Sequence, residues 1–213
     1  MTTFHDEVMP EMQRVVLARL GPILTPRGFY LVGGTAAAIR LGHRRSVDLD
    51  WFSDAGPEDA TAFAADLRTA GLGRDLVVRS TGPGTLHGTI SGVLVSFLRY
   101  SYPMMAEPED WPAYGCRLAS IEDLVCMKLS AVAQRGARKD FYDLAALAET
   151  GYTLKSMLEM YRLKYQTDDV GHLLASLVFF DDAEHEPDPH LLKPVAWEDV
   201  KLRFRGWVKA FAG

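Results

Sequence analysis

The chain has 213 residues, of which 48% are hydrophobic and 24% charged, and this composition is typical of globular proteins. No apolar run approaches the roughly 20 residues that span a bilayer, and the N-terminus lacks the basic and apolar segments of a signal peptide. Two cysteines cannot form a disulfide framework, so we expect a reduced, cytoplasmic protein. Because no apolar run is long enough, we expect no membrane partner. The net charge of −5 argues against wholesale coating of nucleic acid but allows a local basic groove.

Helical and extended patterns alternate through the first half of the chain. In some segments apolar residues recur at helical spacing, whereas others are short apolar runs typical of buried strands. Glycine and proline residues separate these segments. In chain order, the patterns predict a helix over 8–24, a strand over 29–32, a helix over 35–41, a strand over 47–52, a helix over 57–70, and strands over 76–79, 85–90 and 93–100.

From Ser120 onward the chain carries only helical patterns. Ser120 and Asp123 have the spacing of a capping box, and Gly136 ends the helix that they begin. Further helices are predicted over 138–149, 154–165, 169–180 and 196–211. This order predicts an α+β protein, with an α/β domain over residues 1–110 and a helical domain over 111–213, the change occurring between residues 105 and 118.

The segment Gly33-Gly34-Thr35 closes a predicted strand and opens a predicted helix. Glycines let the backbone approach a ligand closely, and the amides at a helix N-terminus favour anions. Thr35 adds a hydroxyl donor at the same place. A Gly-Gly pair after a strand is more often an ordinary turn, but here the segment is a candidate binding site for a triphosphate.

Asp48 and Asp50 lie two residues apart on a predicted strand, so their side chains share one face, roughly 6.6 Å apart along the backbone. Val47, Leu49 and Trp51 are expected on the opposite, buried face. Two carboxylates this close repel each other unless a cation lies between them, and Mg²⁺ prefers oxygen ligands of this kind. We therefore predict a site for Mg²⁺, or for Mn²⁺ in its place; the alternative is a solvated strand face.

Several basic residues precede the two aspartates, namely Arg40, His43, Arg44 and Arg45. The alternatives are a solvated charged loop and a surface that contacts triphosphate or an RNA backbone. A second basic set, Lys201, Arg203, Arg205 and Lys209, lies on the last predicted helix. The aromatic residues between them are interpreted as core packing, and contact of this helix with RNA is the alternative. His172, His185 and His190 match no zinc-ligand spacing, and His87 is interpreted as structural.

Lys128 lies within the apolar stripe of the helix that begins at Ile121, and Arg135 lies two turns further along the same face. Lys128 either faces a cleft and contacts nucleotide phosphate, or extends its ammonium group to the surface. Asp140 and Asp143 share a face of the next helix. They either join two helices through salt bridges to Lys128 or Arg135, or supply acidic groups to the site.

The stretch from Leu31 to Ser53 resembles the signature of the nucleotidyltransferase superfamily, a Gly-Gly turn followed by Asp-hydrophobic-Asp. Further segments resemble the AbiEii/AbiGii-type toxins, including the MenT-like group. These segments are His43-Arg44-Arg45-Ser46, the helix that carries Lys128, Lys139-Asp140-Phe141-Tyr142-Asp143 and Phe180-Asp181-Asp182-Ala183-Glu184.

The resemblance implies a polymerase-β-like core, a mixed sheet flanked by helices, followed by a helical domain. It also implies a toxin with a cognate antitoxin, which transfers a nucleotide from a nucleoside triphosphate to RNA, with the 3′ end of tRNA as the expected acceptor. The residues that match are catalytic Asp48, Asp50, Lys128 and Asp140, with Asp48 and Asp50 as metal ligands, and nucleotide-binding Gly33, Gly34, Thr35, Arg44, Arg45, Ser46 and Arg135.

One position departs from the superfamily pattern. A third carboxylate is expected on a later strand, where this chain has Ser96, and no Asp or Glu lies between Asp75 and Glu107. Either two acids suffice, or a carboxylate from a helix contributes, or the chain is weakly active or inactive. The rival hypotheses are a non-catalytic module that binds nucleotide or antitoxin, and transfer to a small molecule, as in aminoglycoside nucleotidyltransferases.

Overall fold

The computed structural model describes residues 3–212, which contain seven strands and nine α-helices. The strands are β1 (Tyr30–Val32), β2 (Leu49–Ser53), β3 (Leu76–Gly82), β4 (Thr85–Ile90), β5 (Val93–Arg99), β6 (Glu109–Trp111) and β7 (Cys116–Leu118). The helices are α1 (Glu11–Leu24), α2 (Gly33–Leu41), α3 (Ala60–Leu67), α4 (Ile121–Arg135), α5 (Arg138–Ala148), α6 (Leu154–Tyr165), α7 (Gly171–Ser176), α8 (Asp181–Glu184) and α9 (Trp197–Ala212).

All seven strands form one mixed sheet in the order β3-β4-β5-β2-β1-β7-β6. Strands β3, β4 and β5 pair antiparallel, β5 pairs parallel with β2, and β2 pairs antiparallel with β1. On the other side, β1 pairs parallel with β7, which pairs antiparallel with β6. The fold is therefore the predicted mixed sheet with flanking helices, and β2 lies in the middle of it.

Side chains along β2 alternate between the two faces of the sheet, which directs Asp50 away from the core. Leu49 and Trp51 are fully buried, whereas Asp50 between them is half-buried on the other face, as the period of two requires. The prediction was wrong at the start of this strand, because β2 begins at Leu49 and Val47 is 58% exposed. Asp48 therefore lies in the connection immediately before β2.

Most predicted helices are confirmed, but the change from mixed to helical structure occurs later than residue 110. Strands β6 and β7 were not predicted, and β7 extends the sheet to Leu118. Helix α3 begins after its N-cap Asp59 rather than at Pro57. The helix predicted over 169–180 is only the six residues of α7. Among residues 3–212, no helix is long and apolar enough to cross a membrane.

A buried ion pair connects α4 to α6. The Lys164 ammonium group is fully buried and lies 2.6 Å from the Asp123 carboxylate, and it also donates to the Pro103 carbonyl over 2.7 Å. Asp123 accepts a further bond from the Ser120 hydroxyl over 2.6 Å, and Ser120 caps α4. The two charges are thus matched in the interior, as a buried lysine requires.

We expect Asp123→Ala to lower the free energy of unfolding by about 3–5 kcal/mol, because it leaves the Lys164 charge buried and unpaired. Urea denaturation monitored by circular dichroism measures this change. The exposed Asp66→Ala on α3 is the control and should change stability by less than about 0.5 kcal/mol. Equal stabilities of the two variants would show that the pair contributes nothing.

Candidate active site

The turn at Gly33 brings the backbone against the side chain of Asp50. Val32, the last residue of β1, is paired with Asp50 on β2, and Gly33 then turns with a positive φ of 72° to begin α2. A Cβ added at Gly33 would lie only 2.6 Å from the Asp50 carboxylate oxygen Oδ2. Glycine is therefore required here for both its conformation and its lack of a side chain.

Gly34 is restricted by a different neighbour. A Cβ on Gly34 would collide with the guanidinium group of Arg44 and would lie 3.5 Å from the Ser46 hydroxyl oxygen. We call Gly33 and Gly34 together the glycine bend. It presents the first amides of a nine-residue helix beside a carboxylate and an arginine, so a metal-bound polyphosphate fits the local charges.

Thr35 was predicted to present its hydroxyl at the glycine bend, but the side chain is directed into the interior. Its side chain is buried, and its hydroxyl donates a short hydrogen bond to the Asp48 carbonyl and lies 2.8 Å from the Ser46 hydroxyl. Gln13 of α1 donates to the same carbonyl over 3.1 Å. Thr35 and Ser46 therefore hold the connection that carries Asp48. Gln13 was missed, although a glutamine within the apolar stripe of α1 was a visible signal.

Asp48 and Asp50 form an acidic pair beside the glycine bend. Both are half-buried, and no ion pair to either carboxylate occurs within residues 3–212. Burial raises the pKa of Asp50 above its usual range; a hydrogen bond from the Ser96 hydroxyl opposes this rise, and the charge of Asp48 reinforces it. Such a pair of oxygen donors fits a divalent cation that keeps water and substrate phosphates as its other ligands.

Ser96 and His87 occupy the place where the third carboxylate was expected. Ser96 on β5 pairs with Asp50 on β2 and with His87 on β4, so the three side chains lie in one row across the sheet. The Nδ1 atom of His87 lies 3.1 Å from the Ser96 hydroxyl oxygen. The same Ser96 hydroxyl is hydrogen-bonded to Asp50. His87 is therefore connected to the site, which its earlier interpretation as merely structural missed.

A group of paired charges lies behind the glycine bend, and all of its members except Arg135 are buried. We call it the charge cluster: His43, Arg44, Lys128, Arg135, Asp140 and Asp143. At its centre, the fully buried Asp143 accepts two bonds from Arg44 and one from His43 over 2.8 Å, and it forms an ion pair with the Lys128 ammonium group, whose nitrogen lies 2.5 Å from the carboxylate oxygen. Burial raises the pKa of Asp143, but the charges of Lys128 and Arg44 outweigh it and hold this pKa well below the usual range.

Asp140 is held in a similar way. It lies 2.9 Å from the Lys128 ammonium group and accepts two bonds from Arg135, over 2.7 and 2.9 Å. Burial opposes ionisation of Asp140, but the bonds to Arg135 and Lys128 lower its pKa overall. The prediction that Asp140 replaces the missing acid does not fit, since its carboxylate is occupied by two cations. The salt-bridge alternative between α4 and α5 is correct.

The predicted cations differ in how much of them is accessible. Lys128 and Arg44 are buried, and the interpretation of Lys128 as a group that snorkels to the surface is wrong. Arg135 has a side chain that is 56% exposed, and Arg45 is exposed. On α9, Lys201 pairs with Glu184 and Arg203 pairs with Glu149, both over 2.6 Å.

No group of three or more potential metal ligands occurs in the described part of the chain.

Comparison with known proteins gives the family. The family model described as nucleotidyl transferase AbiEii toxin of type IV toxin–antitoxin systems matches residues 90–208, more than half of the chain. An uncharacterized protein of Aquifex aeolicus is 35% identical over 201 residues, which cover 93% of this chain and 95% of the relative. This chain belongs to the AbiEii nucleotidyltransferase toxin family.

Solved structures agree with this AbiEii assignment at the level of the fold. MenT4, a nucleotidyltransferase toxin from Mycobacterium tuberculosis, is similar over 93% of this chain and 83% of its own, with a TM-score of 0.57 and 19% identity. JHP933 from Helicobacter pylori is similar over 97% and 92%, with a TM-score of 0.55 and 16% identity. The predicted nucleotidyltransferase core is thereby confirmed.

Because the pKa of Asp143 is low, the stability of the AbiEii chain should depend on pH in the acidic range. An unfolded aspartate has a pKa near 3.9, so the contribution of Asp143 to stability is complete above that value and is lost as the pH falls below it. We expect the unfolding free energy of Asp143→Asn to fall less steeply below about pH 4 than that of the wild type, by up to about 1.4 kcal/mol per pH unit. Parallel curves from pH 5 to pH 2 in chemical denaturation would contradict this.

The contribution of Asp50 to stability should change with pH in the opposite direction, because its pKa is raised. The folded state then carries an unfavourable charge once the pH exceeds this raised pKa, and the penalty disappears in acid. In metal-free buffer with a chelator, we expect Asp50→Asn to be more stable than the wild type at pH 8, with the difference shrinking towards pH 4. Thermal unfolding at both pH values measures it, and a variant that is less stable than the wild type at pH 8 would refute the raised pKa.

Proposed function

We propose that this AbiEii chain is a magnesium-dependent nucleotidyltransferase, the toxin of a toxin–antitoxin pair, which transfers a nucleoside monophosphate from a nucleoside triphosphate to RNA, with the 3′ end of tRNA as the acceptor. The observation that carries the proposal is the contact between the glycine bend and Asp50, since an anion-binding turn and a carboxylate pair then share one position. Family membership supports the reaction class. Its partners are the triphosphate, the acceptor RNA and an antitoxin, and its site of action is the cytoplasm.

In the proposed reaction, the oxygen of an acceptor hydroxyl forms a bond to the α-phosphorus. The bond from that phosphorus to the bridging oxygen breaks, pyrophosphate leaves and the hydroxyl proton passes to water. Asp48 and Asp50 would hold Mg²⁺, or Mn²⁺ in its place, which supplies a Lewis acid for the phosphate oxygens. The amides of Gly33 and Gly34 bind and orient the β- and γ-phosphates.

The cations have different roles in the proposal. Arg135 keeps one edge of its guanidinium group on Asp140 and exposes the rest, so it can contact a phosphate directly. Arg45 is exposed and is placed to meet an RNA backbone. Lys128 and Arg44 act from within the protein: the charge of Lys128 lowers the pKa of Asp50, and Arg44 packs against Gly34. Both are therefore proposed as positioning residues.

Ser96 is the specific observation that favours a second candidate, a module that binds nucleotide without turnover. Serine is a far weaker base and metal ligand than the expected carboxylate, and its hydroxyl is engaged with Asp50 and His87. This candidate predicts Mg²⁺-dependent binding of nucleotide without release of pyrophosphate. Measuring binding and pyrophosphate release on the same preparation separates the two candidates. Supplying RNA as the sole acceptor distinguishes transfer to RNA from transfer to a small molecule.

The direct test compares Asp48→Asn with the wild type in the presence of Mg²⁺, each labelled triphosphate in turn and total tRNA. We expect labelled tRNA from the wild type and a loss of at least about 10²-fold in the variant, because the metal-bound triphosphate loses a ligand. The matched control is the exposed Asp54→Asn just beyond the end of β2, which should transfer at the wild-type rate. Circular dichroism confirms that both variants are folded.

Full transfer by Asp48→Asn would exclude the proposed metal site. A wild type that binds triphosphate but releases no pyrophosphate would favour the non-catalytic module instead.

A further inference from the structure

A cavity of about 450 Å³ opens beside the candidate active site. On the sheet, Phe52 lines it and follows Asp50 by two residues on β2, so the two side chains share a face roughly 6.6 Å apart. On α4, the lining residues Met127, Ala131 and Gln134 follow helical spacing. Lys128 and Arg135 each come one residue later, and thus occupy the adjoining face of the same helix.

Aromatic rings form much of the wall, and we call this space the aromatic cavity. Phe52 and Tyr100 are stacked with ring centroids 4.6 Å apart at an interplanar angle of 25°. Tyr102 and Tyr165 meet edge to face at 4.8 Å. Tyr102 is 51% exposed, so its ring stands at the entrance rather than in the core. Rings arranged in this way offer stacking surfaces to a flat ligand.

A buried cation fixes these rings in place. The fully buried Lys164 ammonium group lies 5.0 Å from the centroid of the Tyr100 ring and is anchored by Asp123. The hydroxyl groups of Tyr100 and Tyr165 are hydrogen-bonded to each other over 2.8 Å. The wall is therefore preorganised, which lowers the entropy lost when a ligand binds.

Polar side chains share the cavity with the rings. Ser130 and Gln134 of α4, with Thr167 and His172 from beyond α6, also line it. Amide and hydroxyl groups offer both donors and acceptors, as the edge of a nucleobase requires. Gln134 and Ser130 are hydrogen-bonded to each other over 3.5 Å and keep further donor and acceptor capacity. The described residues that line the cavity include no lysine or arginine, so its walls do not suit a polyphosphate.

We infer that the aromatic cavity binds a nucleobase, which stacks on the tyrosine rings while its edge meets Gln134 and Ser130. The inference rests on the proposed function, since the base is attached to a nucleotide whose phosphates lie at the glycine bend or to the terminal nucleotide of the acceptor. Both sources present the same chemistry to the cavity. Ligands that contain only the donor base or only an acceptor base distinguish the two sources.

The test measures affinities of the wild type, Tyr102→Ala and Gln134→Ala for three probes in Mg²⁺ buffer: the four nucleoside triphosphates, inorganic tripolyphosphate and a single-stranded RNA oligonucleotide. The matched control is Phe211→Ala, which removes a 38%-exposed ring from a separate cavity of about 570 Å³ beside Trp207. We expect Tyr102→Ala to weaken at least one base-containing probe about tenfold, the effect of losing one base–aromatic stack. Phe211→Ala should leave all affinities unchanged.

The pattern of losses decides the source of the base. Weaker triphosphate binding with unchanged tripolyphosphate binding supports the inference and assigns the cavity to the donor base. Weaker oligonucleotide binding with unchanged triphosphate binding supports it and assigns the cavity to the acceptor base. Unchanged affinities in both cavity variants, or equal losses for tripolyphosphate, overturn it. A wild type that binds no triphosphate with Mg²⁺ refutes the proposed function itself, and the inference falls with it.

Discussion

The buried carboxylate of Asp143 is the constraint on which the site depends. It belongs to α5 in the helical half of the chain, yet its partners His43 and Arg44 lie in the connection between α2 and β2. A buried aspartate that lost these cations would be strongly destabilising, so the two halves cannot separate without a large cost. The charge cluster thereby fixes α4 and α5 against the part of the sheet that carries the acidic pair.

The position of the glycine bend follows from the same interaction. Arg44, held by Asp143, packs so closely on Gly34 that no side chain fits there, and Asp50 does the same to Gly33. The bend is therefore enclosed by one cation and one anion. Thr35 and Gln13 then fix the Asp48 backbone from inside. A site held by packing and buried hydrogen bonds in this way can orient a substrate with little rearrangement.

Local patterns predicted much of the fold and the centre of the site, because their causes are local. The alternation around Asp50, the capping of α4 by Ser120 and the turn at the glycines depend on neighbouring residues. Strands β6 and β7 were missed because three residues carry too little periodicity, and their pairing with distant strands defines them.

The parts of the site that the sequence did not predict depend on distant contacts. Arg44 and Asp143 are 99 residues apart, and nothing near either residue indicates that they meet. The link between Ser96 and His87 arises from strand register, which the spacing of the residues in the chain does not reveal. Ligand contact was one of the alternatives for the basic residues, yet His43, Arg44 and Lys128 are buried in ion pairs. Charge alone does not distinguish a solvent-facing cation from an internal one.

In the proposed function, the glycine bend and the acidic pair bind one metal–triphosphate complex. A crystal structure with Mn²⁺ and a non-hydrolysable triphosphate analogue tests it most directly, since anomalous scattering locates the metal. We expect the metal about 2.1 Å from carboxylate oxygens of Asp48 and Asp50, with the β- and γ-phosphates on the Gly33 and Gly34 amides. A triphosphate bound elsewhere, or a metal that contacts neither aspartate, would contradict the proposed shared site.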